Sequence, residues 1–182
     1  MRNVILIGGA GYVGTVIAEE LLRKSFNVTI LDNFIYKNFN SIKHLQKNDH
    51  FKLINGNFSD LNKVNLEIND STDVIILGGL VGDPITKKYP KLNKITNIDG
   101  IKKCIDFFEN EMVGKLIFIS TCSNYGLINQ DLKADENFEL KPLSLYAKAK
   151  VEIENFILNK QNKKINYEPI ILRFATAFGL SP

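Results

Sequence analysis

The stretch Gly8-Gly9-Ala10-Gly11-Tyr12-Val13-Gly14 decides how this chain folds. It follows the apolar run Val4-Ile5-Leu6-Ile7 and opens a segment, residues 13–24, whose apolar positions recur at helical spacing. A strand, a glycine turn and a helix in that order need the spaced glycines for different reasons. Gly8 permits a tight turn, Gly11 lets backbone approach a bound pyrophosphate, and Gly14 lets the helix pack against the strand. The start of the helix adds N–H groups without intrahelical partners and the positive end of a dipole, both suited to phosphate. With 12 glycines in 182 residues, chance supplies a G-x-x-G-x-x-G only about 0.05 times.

Outward from that turn, Asp32 closes the next apolar run, near the roughly 20-residue offset at which a carboxylate reaches a ribose 2′-hydroxyl. A carboxylate there accepts from a free diol and repels a 2′-phosphate, so the expected cofactor is NAD rather than NADP. Further strand-length runs, rich in branched residues, occupy 28–31, 51–54, 74–77, 116–120 and 170–174. Several are apolar at consecutive positions, the pattern of strands covered on both faces. Helix-period segments lie between them at 13–24, 41–47, 61–66, 92–110 and 145–159. Within the last, Val151, Ile153, Phe156, Ile157 and Leu158 mark an apolar face, with Glu152, Glu154 and Asn155 opposite. The alternation predicts an α/β fold: a Rossmann-type, doubly wound parallel sheet of about six strands with helices on both faces. Residues 124–142 read as the main irregular region.

The composition, 45% hydrophobic and 24% charged, is that of a globular domain. The net charge of +3 is spread along the chain, without the basic stripe of a nucleic-acid binder. No apolar run approaches the roughly 18 residues of a membrane span, and residues 4–7 are too few for a signal-peptide core. Cys104 and Cys122 set no disulfide framework and belong to no metal-binding cluster, so reduced thiols in the cytoplasm are expected. The expected organisation is one dinucleotide-binding domain over residues 1–182.

The remaining motifs carry a resemblance. They are Leu31-Asp32-Asn33, Gly56-Asn57 ahead of Asp60, Gly78-Gly79-Leu80, Asn97-Ile98-Asp99-Gly100, Ser120-Thr121-Cys122-Ser123-Asn124-Tyr125-Gly126, Tyr146-Ala147-Lys148-Ala149-Lys150 and Leu172-Arg173-Phe174. In that order, with the glycine turn, they resemble the extended short-chain dehydrogenase/reductase family, in its NAD-dependent epimerase/dehydratase branch acting on nucleotide sugars. Tyr146-x-x-x-Lys150 alone carries little weight, since about 0.7 such pairs arise by chance in a lysine-rich chain. Its place at the start of a helix after the fifth strand carries the weight, and i to i+4 spacing puts both side chains on one face. A phenol titrates near 10, and an adjacent ammonium favours its anion, so Lys150 is expected to lower the Tyr146 pKa.

The resemblance implies that Tyr146 exchanges a proton with a sugar hydroxyl and that Lys150 also binds the nicotinamide ribose. It further implies that Thr121 hydrogen-bonds the substrate oxygen and that Asn97 supports a water-linked proton path. It places NAD against Gly8, Gly11, Tyr12, Val13, Gly14, Asp32, Asn33, Asn57, Gly78, Gly79, Leu80, Tyr146 and Lys150. A nucleotide-sugar substrate and a homodimer formed through residues 92–110 and 145–159 follow from it as well.

Departures from the family pattern narrow the chemistry. Cys122 and Ser123 stand where the family's dehydratases carry Asp-Glu, which disfavours dehydration. Asn57 replaces the aspartate that contacts the adenine amino group, its amide oxygen remaining an acceptor. The C-terminal segment that clamps the nucleotide sugar in the family is expected to be absent or truncated, leaving residues 82–84 as the candidate sugar-side loop. Three functions stay open: a nucleotide-sugar epimerase, a keto-sugar reductase, or an NAD(H)-binding subunit completed by a partner.

Overall fold

Along the first strand, β1 (Asn3–Ile7), successive side chains point to opposite faces. Val4, Ile5, Leu6 and Ile7 are nevertheless all at most 3% exposed, so both faces of this strand are covered. The computed structural model describes residues 2–129, 131–161 and 165–181 and shows why. Its six strands are β1, β2 (Asn27–Asp32), β3 (Phe51–Asn55), β4 (Thr72–Ile76), β5 (Lys115–Thr121) and β6 (Glu168–Phe174). They form one parallel sheet in the order β3-β2-β1-β4-β5-β6. The strand order reverses between β1 and β4, and ligands of such sheets bind in the crevice at the carboxyl ends there. The expected Rossmann-type fold is the one observed.

Helices α1 (Tyr12–Arg23), α2 (Asp83–Lys88), α3 (Pro90–Asn93), α4 (Ile101–Glu109) and α5 (Leu145–Gln161) connect or flank the strands. On one face Ile5, Ile7, Val74, Ile76 and Phe118 meet Ile101, Cys104, Ile105 and Phe108 of α4 and Ile153 and Ile157 of α5. On the other, Val4, Leu6, Val28 and Ile30 meet Ala18 of α1 and Ile42 and Leu45 of a 3-10 segment, Phe39–Lys47. That second layer covers only half the sheet: Ile117, Ile119 and Ile170 are half-buried there and Leu172 is 40% exposed.

Local structure departs from the sequence reading in four places. Residues 61–66 are not a helix; a 3-10 turn spans Phe58–Lys63, started by the Asn57 side chain accepting from the Ser59 N–H and interrupted by non-helical backbone at Asp60. Residues 92–110 are divided among the end of α3, a π-helical segment (Lys94–Gly100) and α4. Residues 83 and 84 begin α2 rather than a loop, after Gly82 at φ +97°. In α5 the buried face is Ala149, Lys150, Ile153, Glu154 and Ile157, so Glu154 lies inside and Leu158, 46% exposed, lies out. Hydrophobicity alone misassigned that face because two of its members carry charge.

Candidate functional site

The glycine turn is shaped by contacts that leave no room for a Cβ. Gly8, at φ +73°, would place one 2.3 Å from the Gly78 Cα at the end of β4, and Gly14 would place one 2.4 Å from the Gly9 carbonyl oxygen. Gly11 differs: its φ of −80° suits any residue, and the nearest atom to a Cβ there is the Gly8 oxygen at 3.9 Å. Neither backbone strain nor protein packing requires glycine at 11, so what its bareness serves is the space in front of it. Gly11 is also the N-cap of α1, where no side chain caps the helix and no acidic residue sits in the first turn. The positive end of the helix is thereby left without a side-chain cap, an arrangement suited to an anion.

That space is a cavity of about 850 Å³ at the carboxyl ends of β1, β4 and β5, within the size range of cofactor sites. Its wall includes Gly8, Gly11, Tyr12, Val13, Gly14, Asp32, Asn33, Asn57, Gly78, Gly79, Leu80, Thr121, Tyr146 and Lys150. Asp32 has a local task as well, accepting from Ala10 N–H at 3.0 Å and Phe34 N–H at 2.8 Å. Each carboxylate oxygen thus spends one bond on the loop and keeps further capacity for a diol. Asn57 departs from expectation: its oxygen accepts from both the N–H and the hydroxyl of Ser59, at 3.0 and 2.9 Å. What it can offer a base is therefore its amide N–H₂, a donor.

Across the cavity, α5 starts beside the end of β5, where the Ser144 hydroxyl accepts from Ala147 N–H at 3.1 Å. Tyr146 and Lys150 share its inner face. Lys150, 7% exposed, donates to the Ile119 carbonyl at 2.7 Å and stands 4.5 Å from the Phe118 ring centre and 5.7 Å from that of Tyr146. Burial pulls its pKa down to about 8, partly offset by Glu154. Tyr146 moves opposite to expectation. Burial pushes its phenol above the ordinary value, and Asp83 and Tyr36 push it further, while the Lys150 ammonium is bonded to a backbone carbonyl. Thr121 Oγ1 accepts from Ser123 N–H at 3.2 Å, leaving its hydroxyl hydrogen to donate into the cavity. Asn97 lies behind the wall. It accepts from Leu80 N–H at 2.7 Å and donates to the Leu80 carbonyl at 2.8 Å and Asn93 Oδ1 at 2.7 Å, fixing the loop after β4 to the π-helical segment.

Residues 82–84 are not part of the wall; Val81 is, with Ile35, Tyr36, Asn38, Ser59, Leu92, Ile95, Ser120 and Phe174. Tyr36 crosses from the loop after β2, its hydroxyl accepting from Val81 N–H at 3.3 Å. Its chain neighbours Phe34 and Lys37 have φ near +55°, a conformation no residue type there announces. The segment after β6 also reaches the cavity through Ala175 and Ala177, and its Gly179 carbonyl accepts from the Tyr12 hydroxyl at 2.5 Å.

Among the described residues no helix is long and apolar enough to cross a membrane, and no group of three or more His, Cys, Asp or Glu side chains is placed to hold a metal.

Comparison with known proteins finds the family described as "NAD dependent epimerase/dehydratase family" matching residues 4–182. A rice (Oryza sativa subsp. japonica) protein described as "Probable UDP-arabinose 4-epimerase 1" is 29% identical over 191 residues, covering 100% of this chain and 45% of its own length. Among solved structures, UDP-glucuronic acid 4-epimerase from Bacillus cereus, in complex with NAD, superposes with a TM-score of 0.84 at 25% identity, covering 99% of this chain and 58% of the other. UDP-N-acetylglucosamine 4-epimerase from Methanobrevibacter ruminantium M1 gives 0.79 at 26% identity, covering 94% and 54%. The chain spans about half the length of the relatives it matches.

Proposed function

The chain belongs to the NAD dependent epimerase/dehydratase family, and from that premise we propose that it is the dinucleotide-binding and catalytic part of an NAD-dependent nucleotide-sugar epimerase. The observation that carries the reading is Gly11, whose missing Cβ leaves a cradle that protein packing does not need. A pyrophosphate fits there, against the uncapped start of α1 and within reach of Asp32 for the ribose diol. When bound, NAD supplies a hydride acceptor that later returns the hydride, so that net redox is zero.

The chain's own residues then do the rest. Tyr146 takes the proton of the sugar hydroxyl at the carbon being oxidised and returns it after the sugar has turned. Thr121 donates to the same oxygen as charge develops on it. Lys150, buried and cationic, holds the nicotinamide ribose. Burial makes Tyr146 a reluctant acid in this setting, so proton removal depends on positive charge brought near the phenol. Asn97 serves as a positioning residue, holding Leu80 against the cofactor.

The two solved relatives above and the rice protein are all named as 4-epimerases of UDP-sugars, which favours epimerisation over keto-sugar reduction here. We read residues 1–182 as the dinucleotide-binding domain, with the nucleotide-sugar clamp in the part of the relatives' length this chain does not span. Leu145 and Leu158, apolar and exposed on α5, support a homodimer; a monomer in sedimentation at working concentration rejects it. A cytoplasmic setting agrees with two unpaired cysteines.

The test is calorimetry with NAD, then separation of the epimeric products formed from UDP-sugars, with added NADH followed in parallel at the reduced-nicotinamide absorbance. Binding without steady NADH consumption is expected; no binding by folded protein rejects the cofactor reading, and stoichiometric consumption substitutes the reductase.

A further inference from the structure

The cavity has a cover that the proposed chemistry does not use. Beyond Phe174, at the end of the edge strand β6, the chain crosses to Tyr12, the first residue of α1. Two strands, β4 and β5, separate β6 from β1 in the sheet, so this crossing joins one side of the cavity to the other. Ala175 and Ala177 lie on the wall. They are two residues apart, as side chains sharing one side of an extended chain are, and their small size leaves the space beneath them open. The large apolar residues of the segment are turned away: Phe178 is 91% and Leu180 102% exposed.

Packing does not hold this crossing in place, since residues 175–180 are all exposed. Its far end is held by hydrogen bonds instead. The Tyr12 hydroxyl donates to the Gly179 carbonyl at 2.5 Å, and the Ser181 hydroxyl donates to the Tyr12 carbonyl at 2.9 Å. Among the described residues, these two are the bonds that 177–181 make, and both go to Tyr12. Gly179 stands at φ +131° with nothing within 4 Å of where a Cβ would lie, so glycine there serves the bend of the chain and not a close contact. A segment without buried side chains, fastened at one residue, has the low local stability that lids require. Tyr12 joins the two features, because it lies on the wall and opens the helix whose start faces the cavity.

We propose that residues 175–181 form a strap over the dinucleotide cavity and that Tyr12 is its latch, bound dinucleotide leaving only after the Tyr12 bonds release. What the strap retains rests on the cofactor reading above; the latch itself does not. Such a closure suits a cofactor that is reduced and reoxidised in place, since it slows exchange without adding a contact to the reacting atoms.

Two measurements on the full chain separate the latch from what it holds. The first is ¹⁵N relaxation of the ligand-free protein. Backbone order parameters over 177–181 are expected near 0.85 in the wild type and below about 0.6 in Tyr12→Phe, with Ser181→Ala, which removes the second bond, in between. The second is stopped-flow release of NADH, followed by its fluorescence. Release should be about tenfold faster in Tyr12→Phe, the change expected for one lost hydrogen bond. Should Tyr12→Phe fail to fold, Ser181→Ala carries the same comparison. A strap already mobile in the wild type, or equally rigid in the folded variants, overturns the latch. A loosened strap with unchanged NADH release overturns its retaining role. Folded wild-type protein that binds no NADH rejects the cofactor reading, while the order parameters still decide whether Tyr12 fastens the strap.

Discussion

The two halves of the sheet build their parts of the cavity by different physics. In the β1–β3 half the wall is mostly backbone: Gly8, Gly11 and Gly14, the open start of α1, and one carboxylate, Asp32, braced by two N–H groups. In the β4–β6 half the wall is ionisable side chain held away from water, with Tyr146 and Lys150 over the Ser120–Glu154–Arg173 cluster. The first half works by shape, with no room for a Cβ at Gly8 or Gly14. The second works by displaced proton affinities at Tyr146 and Lys150. Sterics therefore govern failure on one side and electrostatics on the other.

Substitutions can break that contrast. The largest effect is expected from Tyr146→Phe, which should lower turnover about 10³-fold, as for loss of an acid–base group, with dinucleotide affinity by calorimetry nearly unchanged. Gly8→Ala, forced into φ +73° and against Gly78, should cost roughly 3 kcal/mol or more in urea unfolding. Gly11→Ala is its sharper companion. It should leave the melting temperature unchanged and weaken NAD binding about tenfold or more, because its Cβ enters only the cavity; a large loss of stability there would show that packing, not the ligand, requires the glycine.

Lys150→Met should have a smaller effect on the fold than Gly8→Ala, and of the opposite sign. Keeping that ammonium buried at pKa about 8 instead of 10.5 costs roughly 3 kcal/mol. Part is recovered through the bond to Ile119, so the variant should gain about 1–2 kcal/mol while losing NAD affinity. The sign of its pH dependence follows by linkage. Because the folded pKa lies below the unfolded one, the penalty is full below about 8 and vanishes as pH rises toward 10.5. The advantage of the variant in chemical denaturation should shrink over that window; an advantage that grows there would contradict a depressed Lys150.

Legibility followed the same divide. The glycines and Asp32 could be read because spacing along one chain segment is the requirement itself: strand, turn and helix are contiguous. Tyr146 and Lys150 were legible as one turn of one helix. Asn97 was picked out as a site residue, yet it supports Leu80 from behind, a distinction that depends on which way a π-helical segment turns its side chain. Tyr36 escaped notice because it arrives through positive-φ backbone at Phe34 and Lys37. Glu154 was placed on the polar face, since its partners lie 34, 30 and 19 residues away and no local pattern announces them.

Sequence alone determined the strand–helix alternation, the glycine turn between β1 and α1 and the carboxylate at the end of β2, because each is set by neighbours within one supersecondary unit. Only the tertiary structure decided which charged side chains go inside and which proton affinities they acquire. Burial and the approach of β5, β6 and α5 set those energies, and they exist only once distant segments have met.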